Sequence, residues 1–146
     1  MIWLALDLGS RRIGVAVSDD SGTLAVPLRT LEVGKRGDFP LAALRALVAE
    51  RAVEGIVVGW PRRLDGSAGP EAEAAAAVAE RLRGELGLPV ELWDERLTSV
   101  EAERLLIEAG VRRKKRRGAT DRIAATLILQ GFLDHRSAAP AGEVEA

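Results

Sequence analysis

Residues 2–18 read IWLALDLGSRRIGVAVS, and the fold follows from how this stretch divides. Ile2 to Leu8 is apolar except for Asp7. Gly9, Ser10, Arg11 and Arg12 follow as a turn, and Ile13 to Ser18 resumes the apolar pattern, so the segment predicts a hairpin. A second turn at Asp20, Ser21 and Gly22 leads to Thr23–Leu31, where Leu24, Val26, Leu28 and Leu31 suit a third strand. Pro27 cannot donate a ladder hydrogen bond, which puts that strand at a sheet edge.

Outward from this meander the period changes. After a loop at Gly34–Asp38, Pro40 can open a helix, and Leu41, Leu44, Leu47 and Val48 recur at helical spacing through Arg51. Gly55–Gly59 is a short Ile/Val run with no polar face, which fits a strand buried on both sides. Pro70–Leu86 is an Ala-rich helix ended by Gly87, and Val90–Trp93 is another short strand. Thr98 with Glu101 three residues on makes a capping box for a helix to Ala109, stopped at Gly110. A final helix starts near Thr120 or Asp121, with Ile123, Ala124, Leu127, Ile128, Gly131 and Phe132 on one broad face. The order predicts an α/β fold, a mixed five-stranded sheet with helices on both faces. One domain over residues 1–136 is expected, with 137–146 a disordered tail rich in Ala, Pro, Gly and Glu.

The chain has 146 residues, 47% of them apolar, enough to bury one core. It has no cysteine, so disulfides and thiolate zinc sites are excluded, and any metal must be held by oxygen or by His135. No apolar run reaches the roughly 20 residues that span a bilayer, and no signal-type segment opens the chain, so a cytoplasmic protein without membrane contact is expected. A net charge of −1 gives no global pull toward polyanions, but the charge is uneven: Arg112, Arg113, Lys114, Lys115, Arg116 and Arg117 are consecutive.

Asp7 ends the first strand, Asp94 and Glu95 end the last, and Asp121 opens the last helix. In a sheet of this order the first and last strands can lie side by side, so their acids could converge, and Ala124 and Ala125 give the helix a small face for close approach. Clustered carboxylates are tolerated when a divalent cation neutralises them, and oxygen donors select Mg²⁺ or Mn²⁺. Two such ions about 4 Å apart can flank a scissile phosphate, which is phosphodiester hydrolysis. Taken singly, each acid is more readily a turn or helix cap than a catalytic group. Successive strand residues point to opposite faces, so only one of Asp94 and Glu95 can face Asp7.

Three ordered motifs change that balance. Asp7, Gly9, Arg12, Ile13, Gly14, Ala16, Ser18 and Asp19 form D-x-G-x-x-R-I-G-x-A-x-S-D; Gly59, Pro61, Asp65 and Gly66 form G-x-P-x-x-x-D-G; Asp94–Ser99 reads D-E-R-L-T-S. Together they closely resemble the YqgF family, also called RuvX, associated with Holliday junction resolution and with pre-16S rRNA cleavage. The similarity runs from Trp3 to about Leu133 and includes Asp121, Ala124, Ala125 and Ile128–Gln130. The resemblance implies a ribonuclease H-like fold, a role in trimming the 5′ end of precursor 16S rRNA, and Asp7, Glu95 and Asp121 as catalytic metal ligands. Junction resolvases of this fold use a fourth acid one helical turn beyond the last, where this chain has Ala124, so junction cleavage is less well supported.

Around the acids, Arg11, Arg12, Arg62, Arg63 and Arg96 are candidate phosphate contacts, and Trp60 can either stack on an unpaired base or pack in the core. The basic run Arg112–Arg117 precedes Asp121 and could deliver a strand to the carboxylates. His135 reads as an exposed residue near the helix end, and Trp3 and Trp93 as core. The leading expectation is a metal-dependent nuclease, monomeric or homodimeric, acting on precursor rRNA, with the ribosome precursor as a partner. A resolvase of branched DNA and a non-catalytic RNA-binding assembly factor are the alternatives. The Asp7-Leu8-Gly9 turn also suits a phosphate loop of the sugar-kinase type, but such enzymes need two domains and this chain is too short.

Overall fold

A computed structural model of the chain describes residues 1–61, 69–94 and 116–138. The opening stretch forms β1 (Trp3–Leu8), β2 (Arg12–Ser18) and β3 (Ala25–Glu32), an antiparallel meander with Asp7 opposite Gly14 and Gly14 opposite Thr30. Gly9 permits the first turn, because a Cβ there would fall 2.5 Å from the Arg12 carbonyl oxygen. β3 starts two residues later than the apolar pattern implies. The Asp19 carboxylate accepts the N–H groups of Thr23 and Leu24 at 2.9 and 3.2 Å, so those residues close the turn instead of pairing. β3 is an edge strand, and Pro27 lies opposite Ala16 beside a register shift that leaves Leu28 as the extra residue.

The rest of the described chain adds α1 (Leu41–Glu50), β4 (Gly55–Trp60), α2 (Pro70–Leu86), β5 (Val90–Asp94) and α3 (Arg116–Ala138). Pro70 sits in the first turn of α2, where its missing N–H costs nothing, and Gly87 caps the other end at φ 65°. α3 begins four residues before Thr120, since Arg is a good helix former and the end of the basic run joins the helix. The helix expected over Thr98–Ala109 lies outside the described residues.

The sheet order is β3-β2-β1-β4-β5, with β1, β4 and β5 mutually parallel. This corrects the expectation that the first and last strands adjoin, because β4 stands between them. Gly55–Gly59 is buried throughout, and a strand with no solvated face belongs at the sheet centre, covered on both sides. β1 and β5 are therefore two interstrand spacings apart, roughly 10 Å.

Strand alternation sorts the side chains into two cores. Leu4, Leu6, Ile13, Val15, Ile56 and Val58 pack with Leu44 and Leu47 of α1 and Ala75, Ala79 and Leu82 of α2. Trp3, Ala5, Ala16 and Val57 pack with Ala125, Ile128, Leu129 and Phe132 of α3 on the opposite face. Ala125 is fully buried, which is the close approach its small side chain permits. The Trp3 ring lies over Gly55, its β4 partner, and edge-on to Phe132 at 4.8 Å. The Trp3 backbone N–H donates to Ser18 Oγ at 2.8 Å. Among the described residues no helix is long and apolar enough to cross a membrane.

Candidate active site

Asp7 alternates with Trp3 and Ala5, so it stands on the α3 face of the sheet, near the C-terminal end of β1. Gly14 is its partner on β2, and continuing the Leu6–Val58 register puts Gly59 beside it on β4. No side chain therefore flanks Asp7 on either neighbouring strand. The row continues to Thr30 on β3 and, through the Gly59–Trp93 pair, to Trp93 on β5. Asp7 itself is half-buried and engaged by a neighbour.

α3 crosses this face in a fixed direction. Gln130 clamps the start of β3, accepting the Ala25 N–H at 2.9 Å and donating to the Thr23 carbonyl at 3.0 Å. Two turns earlier, Arg122 donates to Thr30 Oγ1 at 3.4 Å, in the Asp7 row. The Arg122 side chain thus reaches the Asp7 row from α3, and Asp121 precedes it by one residue in that helix. The Asp121 carboxylate and the whole of Glu95 lie outside the described residues. Among the described residues no three potential metal-ligating side chains form a group. Arg122 is not foreseen from the sequence, where its only signal is that a basic residue follows Asp121 directly.

The other candidate acid is separated from Asp7 by the sheet. Val90 and Leu92 pack into the α1/α2 core, so Asp94 alternates onto that face, beside its register partner Trp60. Trp60 packs there too, and its indole N–H donates to the Ala72 carbonyl at 3.1 Å near the start of α2. Of the two readings of Trp60, stacking on a base or packing, the described contacts are packing ones, and as an even-numbered position of β4 it lies on the face opposite Asp7.

Among the basic candidates, Arg11 is exposed in the β1–β2 turn and Arg12 is half-buried, opposite Glu32. Arg62, Arg63, Arg96, Arg112, Arg113, Lys114 and Lys115 lie outside the described residues, and Arg116 and Arg117 are placed as the first residues of α3. His135 is exposed in the last turn of α3, with its ring 5.6 Å from Trp93. Trp93 is half-buried against Phe132, and its indole N–H has no acceptor among the described residues. Asp19, the last residue of the first motif, is held below the usual carboxylate range by the N–H groups of Thr23 and Leu24; partial desolvation opposes this. Its work is in the turn, not at Asp7.

Comparison with known proteins identifies the family and the fold. The family-level sequence model described as "RuvX: Holliday junction resolvase" matches residues 1–135. A protein of Geobacillus kaustophilus named "Putative pre-16S rRNA nuclease" is 52% identical over 134 residues, covering 91% of this chain and 97% of its own. One of the same name from Halothermothrix orenii is 46% identical, covering 92% and 95%. Among solved structures, T. thermophilus RuvC in complex with a Holliday junction substrate superposes with a TM-score of 0.57 at 15% identity, over 94% of this chain and 97% of that one. Fowlpox virus resolvase with its substrate Holliday junction DNA gives 0.55 at 11% identity, over 92% and 98%. The fold is the ribonuclease H-like one, a mixed five-stranded sheet with helices on both faces.

Proposed function

Since this chain belongs to the RuvX family, we propose that it is a metal-dependent nuclease that hydrolyses phosphodiesters in the 5′ processing of precursor 16S rRNA. The observation that carries the reading is the setting of Asp7, a half-buried carboxylate between two glycines on the face crossed by the Asp121-bearing helix. The choice of rRNA rests on the names of relatives about half identical over nearly the whole chain.

The donor chemistry fits a hard divalent cation such as Mg²⁺ or Mn²⁺: the first ligand is a carboxylate, cysteine is absent, and the exposed His135 ring lies tilted against Trp93. Asp7, Glu95 and Asp121 are the residues that would hold it. Glu95 is preferred over Asp94 because Asp94 lies on the α1/α2 face, away from Asp7. When bound, such a cation polarises the phosphate and lowers the pKa of the attacking water. The chain's own contribution is placement. β1 holds one carboxylate at a strand end, and the Arg122 side chain of α3 reaches Thr30 in the same row. In this reading Arg11, Arg12, Arg62, Arg63, Arg96 and Arg112 to Arg117 are the basic residues that would meet the phosphates of a polyanionic strand.

A DNA junction resolvase is the second reading, favoured by the family description and by neighbours solved with Holliday junctions. Ala124, in place of a fourth acid, weighs against it. Both readings are tested by incubating wild type and Asp7→Asn with a 5′-extended 16S precursor and with a four-way DNA junction, in Mn²⁺, Mg²⁺ or chelator. Cleavage of the precursor that needs both metal and Asp7 is the expected result, with loss of at least a hundredfold in rate, on the order of what removing one transition-state-stabilising group costs. Junction cleavage alone transfers the proposal to the resolvase, and tight RNA binding without cleavage transfers it to an assembly factor.

A further inference from the structure

The loop after β3 builds a second positively charged feature at the same end of the sheet as Asp7. The Gly37 N–H donates to the Gly34 carbonyl at 2.8 Å, closing a β-turn whose two central residues are Lys35 and Arg36. Gly37 adopts φ 77°, a backbone region that favours glycine, and the Gly34 N–H donates to the Asp38 carbonyl at 3.0 Å. The Val33 N–H donates to the Arg11 carbonyl at 2.9 Å, so this turn and the β1–β2 turn form one bonded unit. Between them lies a cleft of about 450 Å³ lined by Ser10, Arg11, Glu32, Gly34 and Lys35.

Lys35, Arg36 and Arg11 are all exposed, and among the described residues none of them is ion-paired. The carboxylates close by, Glu32 and Asp38, leave the unit net positive. β3 is two strands from β1, roughly 10 Å, about three phosphate spacings along one strand of a helix. We infer that the Gly34–Gly37 turn, together with Arg11, is a docking cleft for the sugar-phosphate backbone of the nucleic acid, a few nucleotides from the bond that Asp7 addresses. Among the described residues the bonded turns hold the cations without a carboxylate partner, so contact with phosphate displaces counterions. This inference rests on the nucleic-acid reading above but not on cleavage.

The test measures binding in chelator, where no cutting can occur. A fluorescently labelled single-stranded fragment of the 5′-extended 16S precursor is titrated against wild type, Lys35→Ala/Arg36→Ala, Lys35→Glu/Arg36→Glu and Arg51→Glu at several salt concentrations. Arg51 is exposed at the C-terminal end of α1, away from the cleft, and serves as the control. Loss of two phosphate contacts should make the slope of log K against log salt shallower by about 1.4 and weaken binding on the order of tenfold near physiological salt. The alanine pair should show most of this, the glutamate pair more, and Arg51→Glu neither. An alanine pair with unchanged affinity and slope overturns the proposal, even if the glutamate pair binds worse, since reversal then acts only through long-range repulsion. Thermal melts confirm that these exposed turn variants are folded. Wild type that binds through this turn and never cuts with metal would refute the nuclease reading and leave the docking cleft standing.

Discussion

Replacing Gly55 by Ala should destabilise the protein through one contact. A Cβ at position 55 would fall 2.5 Å from Cζ3, 2.7 Å from Cε3 and 2.9 Å from Cη2 of Trp3. Carbon atoms in ordinary contact sit about 3.5–4.0 Å apart, so the ring would have to retreat by roughly 1 Å. It has little room to do so: Trp3 is 3% exposed and Phe132 of α3 lies 4.8 Å from it, centroid to centroid. Overpacking of this kind costs about 1–3 kcal/mol, and the lower unfolded-state entropy of Ala returns about 0.4–1 kcal/mol. The net loss should be about 1–2 kcal/mol. In a chain of this size that lowers Tm by about 3–8 °C, read by urea and thermal unfolding. If Trp3 is the cause, the penalty should largely vanish in a Trp3→Leu background, a coupling that a double-mutant cycle measures. A Gly55→Ala protein as stable as wild type, or an equal penalty with and without the Trp3 ring, would refute the reasoning.

Two further changes test the first motif as scaffold. Ser18→Ala removes the acceptor of the buried Trp3 backbone N–H and should cost about 1–3 kcal/mol in urea unfolding, while Ser18→Thr should restore most of it. Asp19→Asn should lower stability at neutral pH. The folded-state pKa of Asp19 lies below the ordinary aspartate value of 3.8, so its stabilising effect is present above that pH and disappears as pH falls through the folded value. The gap between wild type and Asp19→Asn should therefore be constant from neutral pH to about 5 and close in stronger acid; a gap that widens in acid would contradict the turn assignment.

The first motif shows how a sequence signature divides between scaffold and chemistry. Gly9 allows a turn, Ser18 satisfies a buried N–H and Asp19 ties the next turn, all structural tasks, while Gly14 is the residue opposite Asp7. Lys35 and Arg36 are readable only as a loop until the hydrogen bonds show that they are the centre of one turn. Arg122 is silent in the sequence because its partner Thr30 is 92 residues away.

Local physics is what the sequence by itself determined. The hairpins, the edge position announced by Pro27, the doubly buried Gly55–Gly59 strand and the α2 stop at Gly87 all follow from residue-level sterics and periodicity, which act within a few residues. Strand order was decided only by the tertiary structure. β4 lies between β1 and β5, Trp60 and Asp94 fall on the face opposite Asp7, and α3 meets the Asp7 row at Arg122. Each depends on register between segments tens of residues apart. A strand's alternation says which of its residues share a face, but which neighbour it pairs with, and at what register, is settled when the two cores are packed at once.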